Sequence, residues 1–221
     1  VRTNKKTGKS AEVRPYRARP SMHNITAIDP GFKFAVANLH RPLRRLAIVQ
    51  GQLKPAKGQK LPDLAREYIE MAHGVLYKMG ISHDNTLGGC TLLVQEYPIP
   101  FYRASRESNA SVNFMGGAWA AQVWARWIQM FTPGPAKGIP NWNHGGAGKK
   151  AAEEFLAKKP PMWVDYDQLA LSDVDFEPVE AEEEGKLSDD AASAVGILLA
   201  GLQYNGIPMP RAVNTYVAQM T

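Results

Sequence analysis

Asn24-Ile25-Thr26-Ala27-Ile28-Asp29-Pro30-Gly31 is the stretch on which the fold turns. It is a short β-rich run that ends in a carboxylate and is stopped by a Pro-Gly turn. Two further candidate strands follow at 34–39 and 46–52, and the short links between the three predict an antiparallel meander. From Leu61 to Met79, apolar residues fall at 61, 64, 68, 69, 71, 72, 75, 76 and 79, with Pro62 in the first turn and Gly80 after the end. This spacing predicts a helix. Thr91-Leu92-Leu93-Val94-Gln95-Glu96 then reads as a buried strand whose apolar run also ends in a carboxylate, before Pro98 and Pro100 prevent continuation.

Downstream, 109–131 reads as a long helix with the small-residue centre Gly116-Gly117-Ala118-Trp119-Ala120-Ala121. Glycine inside a helix costs roughly 1 kcal/mol relative to alanine, so the pair suggests close approach of another backbone. A short strand, a lysine-rich helix over 148–159 and an acidic insertion over 165–186 come next. An apolar helix over 189–203 and a weakly determined C-terminal tail, 206–221, complete the chain. The expected fold class is α/β, with a mixed five-stranded sheet, three antiparallel strands followed by parallel ones, flanked by helices. Residues 21–205 form one domain, preceded by a flexible basic arm over 1–20, and there is no internal repeat.

Charge is unevenly distributed. Of 21 acidic residues, 11 lie between Asp165 and Asp190, a window with Lys186 as its one base, so the remainder carries 25 bases against 10 acids. The arm alone holds Arg2, Lys5, Lys6, Lys9, Arg14, Arg17 and Arg19. Such a body suits a polyanionic partner, nucleic acid above all. The apolar runs fall short of the roughly 20 residues a membrane span needs, so no membrane partner is expected. One cysteine, Cys90, excludes an internal disulfide, and the five histidines show no zinc-site spacing. Gly145-Gly146-Ala147-Gly148-Lys149-Lys150 superficially suggests a phosphate loop. However, Asn143 stands where the first glycine belongs and Lys150 where Ser or Thr belongs, so no nucleotide cofactor is expected.

Three acids on three separate elements carry the chemistry. If the first and fourth strands are adjacent and parallel, Asp29 and Glu96 emerge side by side, and the last helix can bring Asp190 against them. Taken singly, each has an ordinary explanation: a turn, a strand end, a helix N-terminus. Together they would repel one another unless they held cations. Two Mg²⁺ about 3.5–4 Å apart could activate water for attack on a phosphodiester.

These residues also carry a family resemblance. Ile28-Asp29-Pro30-Gly31 and Leu93-Val94-Gln95-Glu96 resemble the first two motifs of the RuvC-type Holliday-junction resolvases, members of the ribonuclease H-like superfamily. Asn109-Ala110-Ser111 and Met115-Gly116-Gly117-Ala118-Trp119-Ala120 are similar to the helix that follows. Lys149-Lys150 falls where the family has its basic helix, and Asp189-Asp190-Ala191-Ala192-Ser193-Ala194 resembles the closing motif. The resemblance implies a ribonuclease H-like fold and a homodimer, joined through the 109–131 helix, that cuts four-way DNA junctions with paired symmetric nicks. It also implies two Mg²⁺ per site, replaceable by Mn²⁺, with Asp29, Glu96 and Asp190 as ligands and Lys150 or Lys149 at the scissile phosphate. A bacterial or phage-infected cytoplasm is the implied setting, with an organellar matrix as the alternative.

In one respect the chain departs from the family. Where the closing motif has a second aspartate, this chain has Ser193. Either Asp189 takes over that ligand role, or Ser193 binds metal weakly through water, or the substitution inactivates the site. A debranching endonuclease of broader specificity and an inactive scaffold for branched DNA are therefore the rival readings. Phe101 and Tyr102 are candidates for stacking on an unpaired base, with Arg103 beside them. Arg106, Lys137, Trp142 and His144 are candidates for phosphate contacts.

Overall fold

The computed structural model describes residues 22–81, 90–97, 106–123, 125–135, 138–170 and 186–220. The meander expected at the start is present: β1 (Asn24–Asp29), β2 (Lys33–His40) and β3 (Arg45–Gln52) pair antiparallel in sequence. Helix α1 (Leu61–Lys78) follows and leads to β4 (Cys90–Glu96), which lies parallel to β1 on the side opposite β2. Every residue of β1 before Asp29 is buried, the polar Asn24 and Thr26 included.

Two expectations are corrected here. The helix predicted over 109–131 ends early: α2 is Arg106–Gln122, and Ala125–Phe131 is a strand, β5, parallel to β4. Its exposure alternates residue by residue, with Arg126, Ile128 and Met130 outward and Trp127, Gln129 and Phe131 less exposed. That is a period of two rather than 3.6. The sheet also has seven strands, not five, in the order β5-β4-β1-β2-β3-β7-β6. After α3 (Lys149–Lys158) comes the two-residue β6 (Met162–Trp163). Helix α4 (Asp189–Tyr204) then leads into β7 (Asn214–Met220), which pairs parallel with both β3 and β6. Residues 206–221, the expected tail, thus supply an interior strand.

The sheet separates two cores. On one face Ile28, Phe34, Val36 and Leu93 pack with α1 and α2. On the other, Ile25, Ala27, Ala35, Leu92 and Val94 pack against α4, on which α3 rests. Helix α4 is rich in small residues and lies close to the sheet. A Cβ added at Gly201 would stand 2.5 Å from Val94 Cγ2, so only glycine permits that approach. Gly117 has no such reason within the chain, since a side chain there would meet nothing among the described residues. At Gly116 the contact is with a side chain, the Gly116 carbonyl accepting from buried Gln95 Nε2 at 2.7 Å.

The segment expected as an acidic insertion begins as part of the fold. Val164 and Leu169 are buried, 166–170 forms a 3-10 turn, and Lys78 pairs with Asp167. Residues 171–185 lie outside the described residues, as does the arm 1–20. Among the described residues no helix is long and apolar enough to cross a membrane.

Candidate metal centre

Alternation along the strands decides where the acids point. Ile25 and Ala27 face α4, so Asp29, two residues on, faces it too; Leu92 and Val94 face α4, and so does Glu96. The register of β1 on β4 runs to Ile28 opposite Gln95, which places Asp29 beside Glu96 at the next step. Helix α4 begins over these strand ends. Ser188 caps it, its Oγ accepting from the Ala191 amide at 3.0 Å, which places Asp189 and Asp190 in the first turn.

The electrostatics record the convergence. Burial pushes the Asp29 carboxyl up to about 8, and the charges of Glu96 and Asp190 add to the rise. The Ser193 hydroxyl, which donates to Asp29, and the Lys149 ammonium act in the opposite direction. Glu96 is also raised, by burial, while the indole of Trp142 holds it back. Among the described residues no three His, Cys, Asp or Glu side chains are already gathered as a ligand cluster. Glu96 and Asp190 each act on Asp29, which is thus the common neighbour of the other two acids.

Each expected residue either has a definite place or lies outside the described residues. Asp190 is half-buried and faces Asp29. Asp189 turns to solvent, its side chain 90% exposed, and pairs with Lys149 Nζ at 3.2 Å. Of the lysine pair, Lys149 reaches the carboxylates, whereas Lys150 is exposed and does not act on Asp29. Ser193 stands at the acids themselves. His144 is exposed on the loop before α3. Arg106 opens α2 but its side chain, like Phe101, Tyr102, Arg103 and Lys137, lies outside the described residues.

Trp142 was expected on a phosphate, and here the structure corrects the sequence. It is 4% exposed, and its Nε1 donates to Glu96 Oε2 at 3.1 Å. Glycines let it reach that position: a Cβ at Gly196 of α4 would stand 2.9 Å from Trp142 Cζ3 and from the Gly148 carbonyl carbon. Gly148 itself has φ +106°, and Asn143 fills the space where its side chain would be. Asn143 Oδ1 then accepts from the Lys149 amide at 3.3 Å, so this loop fixes where α3 begins and which lysine faces the acids.

A residue that sequence reasoning passed over is Gln50 of β3. Buried, it accepts from the Ser188 amide at 2.8 Å and donates to the Lys186 carbonyl at 2.9 Å, tying the start of α4 to the sheet. No spacing in the sequence marks either Trp142 or Gln50, because both act on residues far along the chain. On the α1 side, Trp119 Nε1 donates to Tyr68 Oη at 2.7 Å, and Tyr68 donates to the Gly31 carbonyl at 3.1 Å. This relay steadies the turn that follows Asp29. Compared with known proteins, the chain matches no family model and no curated protein.

Proposed function

We propose that this chain is a metal-dependent, structure-selective DNA endonuclease that resolves four-way junctions. The observation that carries the reading is the convergence of Asp29, Glu96 and Asp190 from two adjacent parallel strands and the helix that covers them. The strand order β3-β2-β1-β4-β5, antiparallel then parallel, supports a ribonuclease H-like core to which β7 and β6 are an addition.

The donor set fits hard divalent cations. An all-oxygen group in which Asp29 is raised first by burial and then by the charges of Glu96 and Asp190 suits Mg²⁺ or Mn²⁺. Asp29, Glu96 and Asp190 would hold the ions, with Ser193 contributing through water. Bound there, the metal supplies a nucleophilic water at neutral pH and neutralises charge on the phosphate. The chain's own residues do the positioning. Trp142 fixes the rotamer of Glu96, Ser193 orients Asp29, and Lys149 offers an ammonium at the edge of the acids. The basic surplus outside the acidic window draws the DNA. A homodimer belongs to this reading, and β5, the edge strand among the described residues, with Ile128 and Met130 exposed, offers apolar surface for it.

The test is incubation with labelled four-way junction, fork and duplex in Mg²⁺, beside Asp29→Asn and Glu96→Gln controls. Paired symmetric nicks in the junction, absent from both variants, are the expected result. Cutting of every branched form replaces resolution with debranching. Junction that is retarded but uncut in both Mg²⁺ and Mn²⁺ favours the inactive scaffold that Ser193 suggests.

A further inference from the structure

Next to the acids lies a cleft of about 440 Å³, lined by Lys33, Gln50, Gln52, Lys186, Asp190 and Gln219 among others. Its volume is in the range of small-ligand sites. It runs along the ends of β3 and β7 to the first turn of α4, and two lysines, Lys33 and Lys186, line it together with Asp189 and Asp190. Neither lysine has an ion-pair partner among the described residues, and both are exposed.

The hydrogen-bond polarity of this cleft follows from its backbone. Gln50 Oε1 accepts from the Ser188 amide and Gln50 Nε2 donates to the Lys186 carbonyl, and backbone groups cannot exchange those roles. Gln50 Nε2 also donates to Gln219 Oε1 at 2.7 Å. The acceptor atom of Gln219 is thereby engaged by Gln50, and its amino group is left to face outward, with one long bond of 3.3 Å to the Met220 carbonyl. Lys33, Lys186 and the Gln219 amino group are therefore the donors that the cleft presents. That set matches a group made only of acceptors.

We infer that this cleft is a phosphate subsite, holding the backbone phosphate next to the scissile one on the DNA strand that enters the carboxylate centre. The inference rests on the endonuclease reading and adds to it where the substrate strand runs: across β3 and β7, the strand contributed by the last residues of the chain. Gln219 is the selective element, because its orientation is imposed by Gln50 and not by the ligand.

The experiment pairs protein variants with altered DNA. Lys33→Gln with Lys186→Gln removes charge from exposed positions, and Gln219→Glu keeps an acceptor for Gln50 while repelling a phosphate. Affinity for a four-way junction is measured in Ca²⁺ over a range of salt, with single neutral methylphosphonates placed at each position around the cut site. The lysine double variant is expected to bind about tenfold more weakly, with the slope of log affinity against log salt reduced by about one. One methylphosphonate beside the scissile position should weaken the unaltered protein several-fold, yet leave the lysine and Gln219→Glu variants unchanged. Junction binding by the unaltered protein with no such position, or with equal losses in the variants, overturns the subsite alone. No binding of any DNA by the unaltered protein overturns the subsite and the endonuclease reading together.

Discussion

Asp29 shows how much of the candidate site resides in single side chains. Its carboxyl is raised from 3.8 to about 8, so between those values the folded protein keeps a proton that the unfolded chain releases. Stability should then fall as pH rises from about 4 to about 8 and level off above, with a slope of at most roughly 1.4 kcal/mol per pH unit. In metal-free buffer, Asp29→Asn should melt higher than the parent at pH 8, with the gap closing toward pH 4. A gap independent of pH would show that Asp29 is not charged against its surroundings. Trp142 belongs to the same scale, since its indole N–H is what holds Glu96. Trp142→Phe keeps an aromatic ring and loses the donor; in the proposed centre it should weaken Mg²⁺ binding roughly 10–100-fold, and the smaller buried ring should also lower the melting temperature. Titration calorimetry beside a thermal melt separates those two quantities.

At the scale of elements, α4 carries the burden of alignment. Its first turn is set by the Ser188 cap and the Gln50 tie, and its body by glycines pressed against β4 and the Trp142 loop. Ser188→Ala should cost about 1 kcal/mol, read from denaturant unfolding. Gly201→Ala should cost more, about 1–3 kcal/mol, because its new methyl meets Val94. Combining it with Val94→Ala should recover part of that loss, and strict additivity of the two would argue against the contact. The second helix and β5 show the limit of reading elements from spacing. Only Val123 and Trp124 separate α2 from β5, and the strand carries apolar residues on both its faces. An apolar pattern of that kind fits a helix as readily as a strand until β4 is seen beside it.

On the scale of the whole molecule, the last strand joins the sheet together. β7 fills the place between β3 and β6, with Val217 and Ala218 buried in opposite cores, and Gln219 at the cleft. A chain ending before Asn214 should therefore lose its cooperative thermal transition, because β3 would expose a long edge and β6 would have no partner. Circular dichroism melts would detect this, and a shortened chain with an unchanged sharp transition would contradict it. The charge distribution also acts at this scale. The acids at strand ends belong to a chain otherwise rich in lysine and arginine, and the proposed attraction of a polyanion rests on that distribution.

The sequence by itself determined the strands whose residues are buried on both faces, the helix that covers them, and two strand-end carboxylates. Those follow from local composition: apolar runs of strand length stopped by Asp29-Pro30-Gly31 and by Glu96 before the prolines. Only tertiary structure decided that Asp189 turns to solvent and pairs with Lys149, that Lys149 and not Lys150 acts on Asp29, and that Trp142 is a buried partner of Glu96. It also decided that residues 214–220 enter the sheet between β3 and β6. The physical reason is the same in each case. Those outcomes depend on the angle at which one element meets another, fixed by contacts such as Gly201 on Val94 and Gly196 on Trp142, and such contacts join residues with no local pattern in common.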